Sequence, residues 1–293
     1  MEDVIVLDEL KKDTEKIIED VAAVKVSADK VANNDPFAFI SDEITSIGNN
    51  FSEDIHIWYK VDLPNCESIG VNAFKDRTSI NNLNLPNLKT IGEGGFYGCL
   101  GLKQVSLPKV ETLGENSFYG CTYLEDVDFP LVTSVGKNCF YNCDSLREIH
   151  LPLAKTTDTF SFYGCDSLET VDFPSMTVLG NSCFWICPSL KTLNIPLVET
   201  VMQNCFYNCN YLEIVDLPSV TNIETHAFYN CNKLKSIIIR TSTICTAASQ
   251  IFYQQSNMPI IYVPDDLVSQ YKKATNWSNY ASYIKPLSEY VEG

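Results

Sequence analysis

Apolar and polar residues alternate along this chain in a pattern that returns every 22 residues. Residues 102–121, LKQVSLPKVETLGENSFYGC, typify the unit, and in them Val105 and Leu107 stand two positions apart. That is strand spacing, which places both side chains on one face of the chain. The proline that follows cannot donate a hydrogen bond to a strand ladder and so ends the strand. The pattern therefore predicts one short strand per unit, followed by a turn and a return path.

Three other positions of the unit keep the same period without a slip. They hold proline (Pro64, Pro86, Pro108, Pro130, Pro152, Pro174, Pro196, Pro218), phenylalanine (Phe74, Phe96, Phe118, Phe140, Phe162, Phe184, Phe206, Phe228) and cysteine (Cys99, Cys121, Cys143, Cys165, Cys187, Cys209, Cys231). A fixed period of about 20 to 50 residues is typical of repeat proteins such as solenoids, in which each unit has an apolar face that only its neighbours can bury. We therefore expect one elongated solenoid over residues 36–264, although the chain is long enough for two compact domains.

A glycine recurs where the return path begins, at Gly70, Gly92, Gly114, Gly136 and Gly180. We expect a turn with positive φ at these glycines, because glycine adopts that conformation without steric cost. Asp158, Met202 and Glu224 hold the same position in other units, which predicts that the conformation is not strict.

Residues 1–35 lack the repeat and carry a different apolar pattern. Steps of three and four separate Leu7, Leu10, Thr14, Ile17, Val21, Val24, Ala28 and Val31. This spacing predicts an N-terminal helix with a coiled-coil seam within residues 4–31. β-Branched residues at the d positions favour trimers or tetramers over a parallel dimer. An amphipathic helix that folds back to cap the first coil is the alternative.

Residues 265–293 follow the last strand signal and are expected to cap the open end of the solenoid. Residues 265–281, DDLVSQYKKATNWSNYA, predict a short capping helix with Asp265 or Asp266 as its N-cap. Trp277 and Tyr280 are expected to cover the last coil.

Charge and hydropathy exclude several classes of protein. The formal net charge of −16 argues against nucleic-acid binding, since phosphate contacts need a basic surface. No apolar run approaches the roughly 20 residues that a membrane span needs. The N-terminus, MEDVIVLDELKKD, has neither a basic n-region nor a long apolar h-region, so no secretory signal is expected.

The unit, L-x-x-[VI]-x-[LF]-P-x-[VL]-x-x-[LIV]-G-x-x-[AGSC]-F-Y-x-C, resembles the leucine-rich repeats of the BspA type, also called the Treponema pallidum type. The resemblance covers about residues 44–264, and the closing stretch IYVPDDLVSQYKKATNWSNYASYIKPLSE is similar to the C-terminal cap of family members from gut-dwelling bacteria. It implies an α/β horseshoe-class solenoid of mostly short strands with an irregular convex side. It also implies a protein at the cell surface or secreted, adhesin-like, that binds a protein or glycan. This implied location contrasts with the N-terminal residues, which predict no secretory signal.

The layout of a coiled coil ahead of repeats also resembles that of phage tail fibres and related trimeric binders. It implies a second function, a structural or receptor-binding fibre component that is oligomerised through residues 4–31.

Candidate binding residues lie on the strand, between and beside its apolar positions. The residue between the apolar pair points away from the core, and we expect a row on the concave surface, where solenoids usually bind. The row holds Asp62, Asn84, Ser106, Asp128, His150, Asp172, Asn194 and Asp216, and a second, mixed-charge row holds Glu125, Arg147, Glu169, Lys191, Glu213 and Lys235. Asp128, His150 and Asp172 could hold a metal, but a solvated charged face that recruits a basic partner is the default interpretation.

The cysteine row is expected to be a stack of reduced core thiols. Zinc needs four converging ligands, whereas a row offers at most two neighbours per metal. The parallel Cβ directions of neighbouring cysteines disfavour the disulfide torsion. Cys183 and Cys205 are the pair to check for a bridge. The aromatic residues Tyr97, Tyr119, Tyr141, Tyr163, Trp185, Tyr207 and Tyr229 are expected to be partly exposed and packed between coils, with a sugar-stacking platform as the alternative.

No catalytic signature is present. The three histidines, His56, His150 and His226, lie in no hydrolase, metalloprotease or Cys–His motif, and no glycine-rich phosphate loop follows a strand. We therefore expect a non-enzymatic protein without a cofactor or a metal.

Overall fold

The computed structural model describes residues 37–52 and 58–291. They form a solenoid of short parallel strands, each followed by tight turns. The predicted N-terminal helix and its coiled-coil seam in residues 4–31 lie outside the described residues. The strands, in chain order, are β1 (Ala38–Ile40), β2 (Ser46–Ile47), β3 (Lys60–Asp62), β4 (Ser68–Ile69), β5 (Asn82–Asn84), β6 (Thr90–Ile91), β7 (Gln104–Ser106), β8 (Thr112–Leu113), β9 (Asp126–Asp128), β10 (Ser134–Val135), β11 (Glu148–His150), β12 (Thr156–Thr157), β13 (Thr170–Asp172), β14 (Thr192–Asn194), β15 (Thr200–Val201), β16 (Ile214–Leu217), β17 (Asn222–Ile223), β18 (Ser236–Ile239), β19 (Thr246–Ala247), β20 (Ile260–Val263) and β21 (Ile284–Pro286).

Two stacks of strands run along the solenoid. The predicted strands form the first stack, in the sets β1-β3-β5, β7-β9, β11-β13-β14 and β16-β18-β20-β21. A second stack of two-residue strands, β12-β10-β8-β6-β4-β2 and β15-β17-β19, lies on the return path, with Val178 bridging Thr156 and Thr200 between its two sets. The register pairs residues 22 apart, such as Ser106 with Asp128. Each coil therefore lies directly on the coil before it.

The core is a set of residue columns, one for each apolar position of the unit. Phe74 through Phe228 are fully buried, and successive rings such as Phe118 and Phe140 stack with centroids 5.5 Å apart. The cysteine column lies beside them, and each thiol donates to the carbonyl of the phenylalanine in the preceding coil, as from Cys121 to Phe96 at 3.2 Å. The alignment of the phenylalanines confirms that stacking hides the apolar face of each unit.

The recurring glycines do not have positive φ, so the sequence-based expectation for them was wrong. A Cβ on Gly136 would lie 2.6 Å from the carbonyl carbon of Gly114 in the preceding coil. A Cβ on Gly92 would lie 2.8 Å from the carbonyl carbon of Gly70. Glycine is needed here because two backbones pass too close for a side chain. Positive φ instead occurs two residues before and two residues after the core phenylalanine, mostly at asparagine and glycine: Asn72, Asp76, Gly94, Gly98, Asn116, Gly120, Asn138, Asn142, Phe160, Gly164, Ser182, Ile186, Asn204, Asn208, His226, Asn230, Gln250 and Gln254.

Gly136→Ala should lower the free energy of unfolding by about 1–3 kcal/mol, because the added methyl group forces neighbouring coils apart. The matched control is Gly120→Asn. Gly120 has φ of +67° and open space around its Cβ, and Asn142 holds the same place in the next coil. We expect that control to stay within about 0.5 kcal/mol of the parent in urea unfolding followed by circular dichroism. Equal losses in the two variants would contradict a steric role for Gly136.

The C-terminal segment is not the continuous capping helix that the sequence predicted. A 3-10 turn at Asp265–Leu267 leads into one short helix, α1 (Val268–Tyr271), and a second 3-10 turn spans Trp277–Tyr280. No side chain caps the first turn, and Asp265 instead accepts a hydrogen bond from the Ser288 backbone N–H. Asn276, at φ 66°, lies between the helical turns.

Burial of large aromatic residues explains this broken path. Trp277 donates its indole N–H to the Cys245 carbonyl at 2.6 Å, and the Tyr271 hydroxyl accepts from the Cys245 N–H at 2.7 Å. Tyr280 packs edge-on against Phe252 with ring centroids 5.2 Å apart. The chain then returns as β21, which pairs with β20 and extends the first stack beyond residue 264. Tertiary contacts with the last coil therefore outweigh local helix propensity.

Candidate functional site

The exposed face of the first strand stack carries the candidate binding residues. In β7, Val105 points into the core while Gln104 and Ser106 are exposed, and the same alternation holds in β9 and β11. We call this surface the strand face: the first and third residues of each strand from β3 to β14 in the first stack, with Ile214 and Asp216 of β16. Its two rows of side chains follow from the period-two geometry of a strand whose central residue is buried.

The row that the sequence predicted is present and is hydrogen-bonded within itself. Register places His150, Asp172 and Asn194 side by side on β11, β13 and β14. Asp172 accepts from the Asn194 amide and from the His150 imidazole, and Asp128 accepts from the Ser106 hydroxyl at 2.9 Å. The chain thus fixes the orientation of these carboxylates before any partner arrives.

Several of the predicted acidic residues are neutralised by neighbours. Asp62 pairs with Lys60 at 2.9 Å, and Asp216 binds the Arg240 guanidinium through two nitrogens. The ammonium group of Lys60 and the amide of Asn84 hold the pKa of Asp62 below its usual value, although partial burial opposes them. These sites are ion pairs at the two ends of the row, so they contribute little net charge to the surface.

The predicted second row also neutralises itself. Its charges alternate in sign from coil to coil, from Glu125 through Arg147, Glu169, Lys191 and Glu213 to Lys235. Glu169 pairs with Lys191 at 2.7 Å, and Glu213 pairs with Lys235. The hydrogen bonds from these two lysines lower the pKa of both glutamates. Exposed ion pairs of this kind contribute little to the stability of the fold, but they leave the net charge of this row close to zero.

The middle of the strand face is different. Asp126 and Glu148 lie on the same face as Asp128 and Asp172, and Asp144 and Asp166 occupy the turn that leads into the next strand. We call the four strand residues Asp126, Asp128, Glu148 and Asp172 the acidic patch, and Asp144 and Asp166 lie in the turns beside it. Within residues 37–52 and 58–291, no lysine or arginine forms an ion pair with any of them.

Crowding of like charge is visible at the edge of the acidic patch. Burial raises the pKa of Asp144, and the neighbouring carboxylate of Asp166 raises it further. Repulsion between like charges of this kind lowers stability. Asp128 and Asp172 were predicted on this face from the sequence, but Asp126 and Glu148 were not. Their position was predictable, because a residue two positions before Asp128 or His150 on a strand must share its face.

The aromatic column on the turn side is packed between coils, as expected, and its first four rings form a parallel stack that ends at Trp185, which meets Tyr163 edge-on. Ring centroids of Tyr97, Tyr119, Tyr141 and Tyr163 are 4.4–4.7 Å apart with nearly parallel planes. Each inner ring is therefore covered on both faces by its neighbours. Since sugars stack on open ring faces, this geometry does not support the alternative of a sugar platform.

The cysteines are reduced and buried. All twelve, including Cys183 and Cys205, are free thiols. Burial raises the pKa of Cys121, Cys183 and Cys231 to about 12, so they are protonated at neutral pH. The described part of the chain contains no cluster of three or more metal-binding side chains, and no helix in it has the length and apolarity to cross a bilayer.

Comparison with known proteins agrees with the repeat geometry. A family model described as a BspA type leucine rich repeat region matches in six copies over residues 45–157, 131–216 and 177–285. A search of curated protein sequences found no significant match. A solved leucine-rich repeat protein from Bacteroides ovatus is 21% identical, with a TM-score of 0.59 over 85% of this chain and 76% of that chain. At this identity the likeness shows a shared fold.

Two further solved structures are similar over shorter or less exact superpositions. A leucine-rich repeat protein from Eubacterium ventriosum is 18% identical, with a TM-score of 0.48 over 76% of this chain and 77% of that chain. The leucine-rich repeat protein of Treponema pallidum is 22% identical, with a TM-score of 0.40 over 64% of this chain and 76% of that chain.

Proposed function

We propose that this chain, which belongs to the family of BspA-type leucine-rich repeat proteins, is a non-enzymatic binding protein. Leucine-rich repeat proteins generally bind macromolecules, and the matching family model describes a repeat region and no catalytic activity. The proposed ligand is a protein or glycan that docks on the strand face, and the proposed role is adhesin-like recognition.

The observation that carries this proposal is the acidic patch. The two ends of its row and the second row use lysine and arginine to neutralise their carboxylates, whereas the patch presents four carboxylates without such partners among the described residues. Uncompensated charge on one surface raises the encounter rate with oppositely charged partners and suppresses wrong ones. The partner is therefore expected to present a basic surface, and a cationic protein fits this better than a neutral glycan.

The fibre alternative depends on the heptads of residues 4–31, outside the residues that the structure describes. The strand face would serve as the receptor-binding surface in that case as well. The site proposal is therefore common to both functions.

Neutralising the acidic patch tests the proposal. The test variant combines Asp126→Asn, Asp128→Asn, Glu148→Gln and Asp172→Asn. The matched control combines Asp62→Asn, Glu169→Gln, Glu213→Gln and Asp216→Asn, which remove four paired carboxylates outside the patch. Both are screened with the parent on an array of extracellular proteins and glycans. The dissociation constant of each hit is then measured by biolayer interferometry at two salt concentrations.

We expect the test variant to weaken binding at least about tenfold, roughly 1.4 kcal/mol, and the control to leave it nearly unchanged. Added salt should weaken binding by the parent more than binding by the test variant. A ligand that binds the test variant as well as the parent would contradict the proposed site. An array without any hit would count against the binding function itself.

A further inference from the structure

We propose that the strand face receives an amphipathic cationic helix of a partner protein, whose apolar side packs on Leu131, Leu153 and Leu197. This inference rests on the proposed function and specifies the shape and chemistry of the partner. The three leucines occupy the corner that follows the strand-ending proline, and they are 41%, 45% and 46% exposed. We call these three residues the leucine corner.

The structure of the coil itself does not explain leucine at this position. Lys109 holds this position in one coil, and four coils place asparagine or serine there, three of which donate from the side chain to the proline carbonyl of the preceding coil. These bonds run from Asn87 to Pro64 at 2.7 Å, from Ser175 to Pro152 at 2.7 Å and from Ser219 to Pro196 at 2.8 Å. Leucine cannot donate this hydrogen bond, and its exposed side chain buries little apolar area in return.

Net negative charge lies on one side of the leucine corner, and the other side is neutral on balance. On the strand-face side, Asp128 and His150 precede Leu131 and Leu153 by three residues, within the coils that carry the acidic patch. On the return-path side, the exposed residues of the same three coils are Thr133, Lys155 and Glu199, whose charges cancel. A partner that covers both features therefore needs an apolar strip with basic residues along one flank.

Spacing along the solenoid favours a helix over an extended peptide. Successive coils are about 4.8 Å apart, the spacing of neighbouring strands, so Leu131 and Leu197, three coils apart, span about 14 Å. One turn of an α-helix rises about 5.4 Å, which is close to the spacing of the coils. A helix that lies parallel to the solenoid axis therefore places about one residue of its packed face on each coil, over about ten residues. An extended strand repeats its side chains on one face every ~6.7 Å, which does not match the coils.

Synthetic peptides test this inference on the full chain. The probe is an 18-residue peptide of leucine, lysine and alanine, with leucines at i, i+4, i+7 and i+11 and lysines along one flank. A scrambled peptide of the same composition has the same charge without the apolar strip. Affinities are measured by fluorescence anisotropy, and helix formation on binding is followed by circular dichroism.

The parent is expected to bind the amphipathic peptide at least about tenfold more tightly than the scrambled peptide, with a gain in peptide helicity. Leu131→Ser, Leu153→Ser and Leu197→Ser together should abolish that preference and leave the affinity for the scrambled peptide unchanged. Serine holds this corner at Ser175 and Ser219, so the variant should keep the thermal transition of the parent, which circular dichroism verifies.

The contrary outcomes separate the two proposals. Equal binding of both peptides by the parent would overturn the helix inference while the acidic patch remains a site for cations. A preference that persists in the serine variant would overturn the role of the leucine corner. Binding of neither peptide by the parent would overturn the helix inference and also count against the proposed basic partner.

Discussion

Raising the pH from 8 to about 10 should unfold this protein, because its fold keeps twelve thiols protonated. In the unfolded chain a thiol titrates near its ordinary pKa of 9.0, whereas burial raises the pKa of Cys121 and Cys231 in the fold to about 12. A raised pKa means that the stabilisation is fully present below pH 9 and is lost as the pH rises toward 12. Each buried thiol then lowers the free energy of unfolding by about 1.4 kcal/mol per pH unit.

The sum over the cysteine column is comparable to the whole stability of a domain. Twelve thiols would remove on the order of 15 kcal/mol by pH 10, against a typical total of about 5–15 kcal/mol. Urea unfolding under reducing conditions at pH 8, 9, 9.5 and 10, followed by circular dichroism, measures this slope. A free energy of unfolding that stays constant between pH 8 and 10 would contradict the buried-thiol interpretation.

A matched variant isolates the thiols from other alkaline effects. Cys139, Cys183 and Cys205 occupy a position that alanine holds at Ala73 and Ala227, so the triple alanine substitution should fold. It removes a quarter of the thiols and should recover on the order of 4 kcal/mol of the loss at pH 10. An unchanged pH dependence in this variant would assign the alkaline unfolding to the tyrosines instead.

Phe140→Ala should lower the free energy of unfolding by about 3–5 kcal/mol, the usual cost of deleting a buried ring. Phe140 is fully buried, and its ring stacks on Phe118 at 5.5 Å and on Phe162 at 5.2 Å. The cavity cannot close by itself, because coils on both sides hold the backbone in register. Thermal and urea unfolding should shift together if the solenoid unfolds as one unit.

Tyr141→Ala is the matched control for the phenylalanine column. Tyr141 lies next in the chain and is also stacked between neighbours, but its ring is half-buried at the surface. We expect a loss of about 1 kcal/mol, since the main contribution is ring–ring contact. Comparable losses at Phe140 and Tyr141 would show that the phenylalanine column is not the principal source of stability.

The period of the sequence predicted most of the fold from local information. Val105, Leu107, Phe118 and Cys121 all lie in the core because a strict 22-residue period leaves each unit with one face to bury. The strand face was predictable for the same reason, and the positions of Asp128 and Asp172 on it followed from strand alternation.

Contacts between coils and at the chain end could not be read from that pattern. The period marked Gly136, but the close approach of Gly114 in the preceding coil, and not a positive φ, explains why glycine stands there. The sequence around Trp277 predicted a helix, yet its hydrogen bond to Cys245 and burial on the last coil broke that helix into turns. Such distances depend on where two distant segments meet.

The repeat pattern alone specifies the solenoid, its columns and the rows of side chains that face solvent, because stacking propagates one local pattern through the whole chain. Contacts between coils specify which carboxylates a lysine or arginine neutralises. Asp216 and Asp128 occupy the same position of the unit, but Arg240 of the next coil reaches the first, whereas Asp128 accepts from the Ser106 hydroxyl. An ion pair needs two side chains within a few ångströms of each other, and that separation is set by the stacked coils and the rotamers they permit.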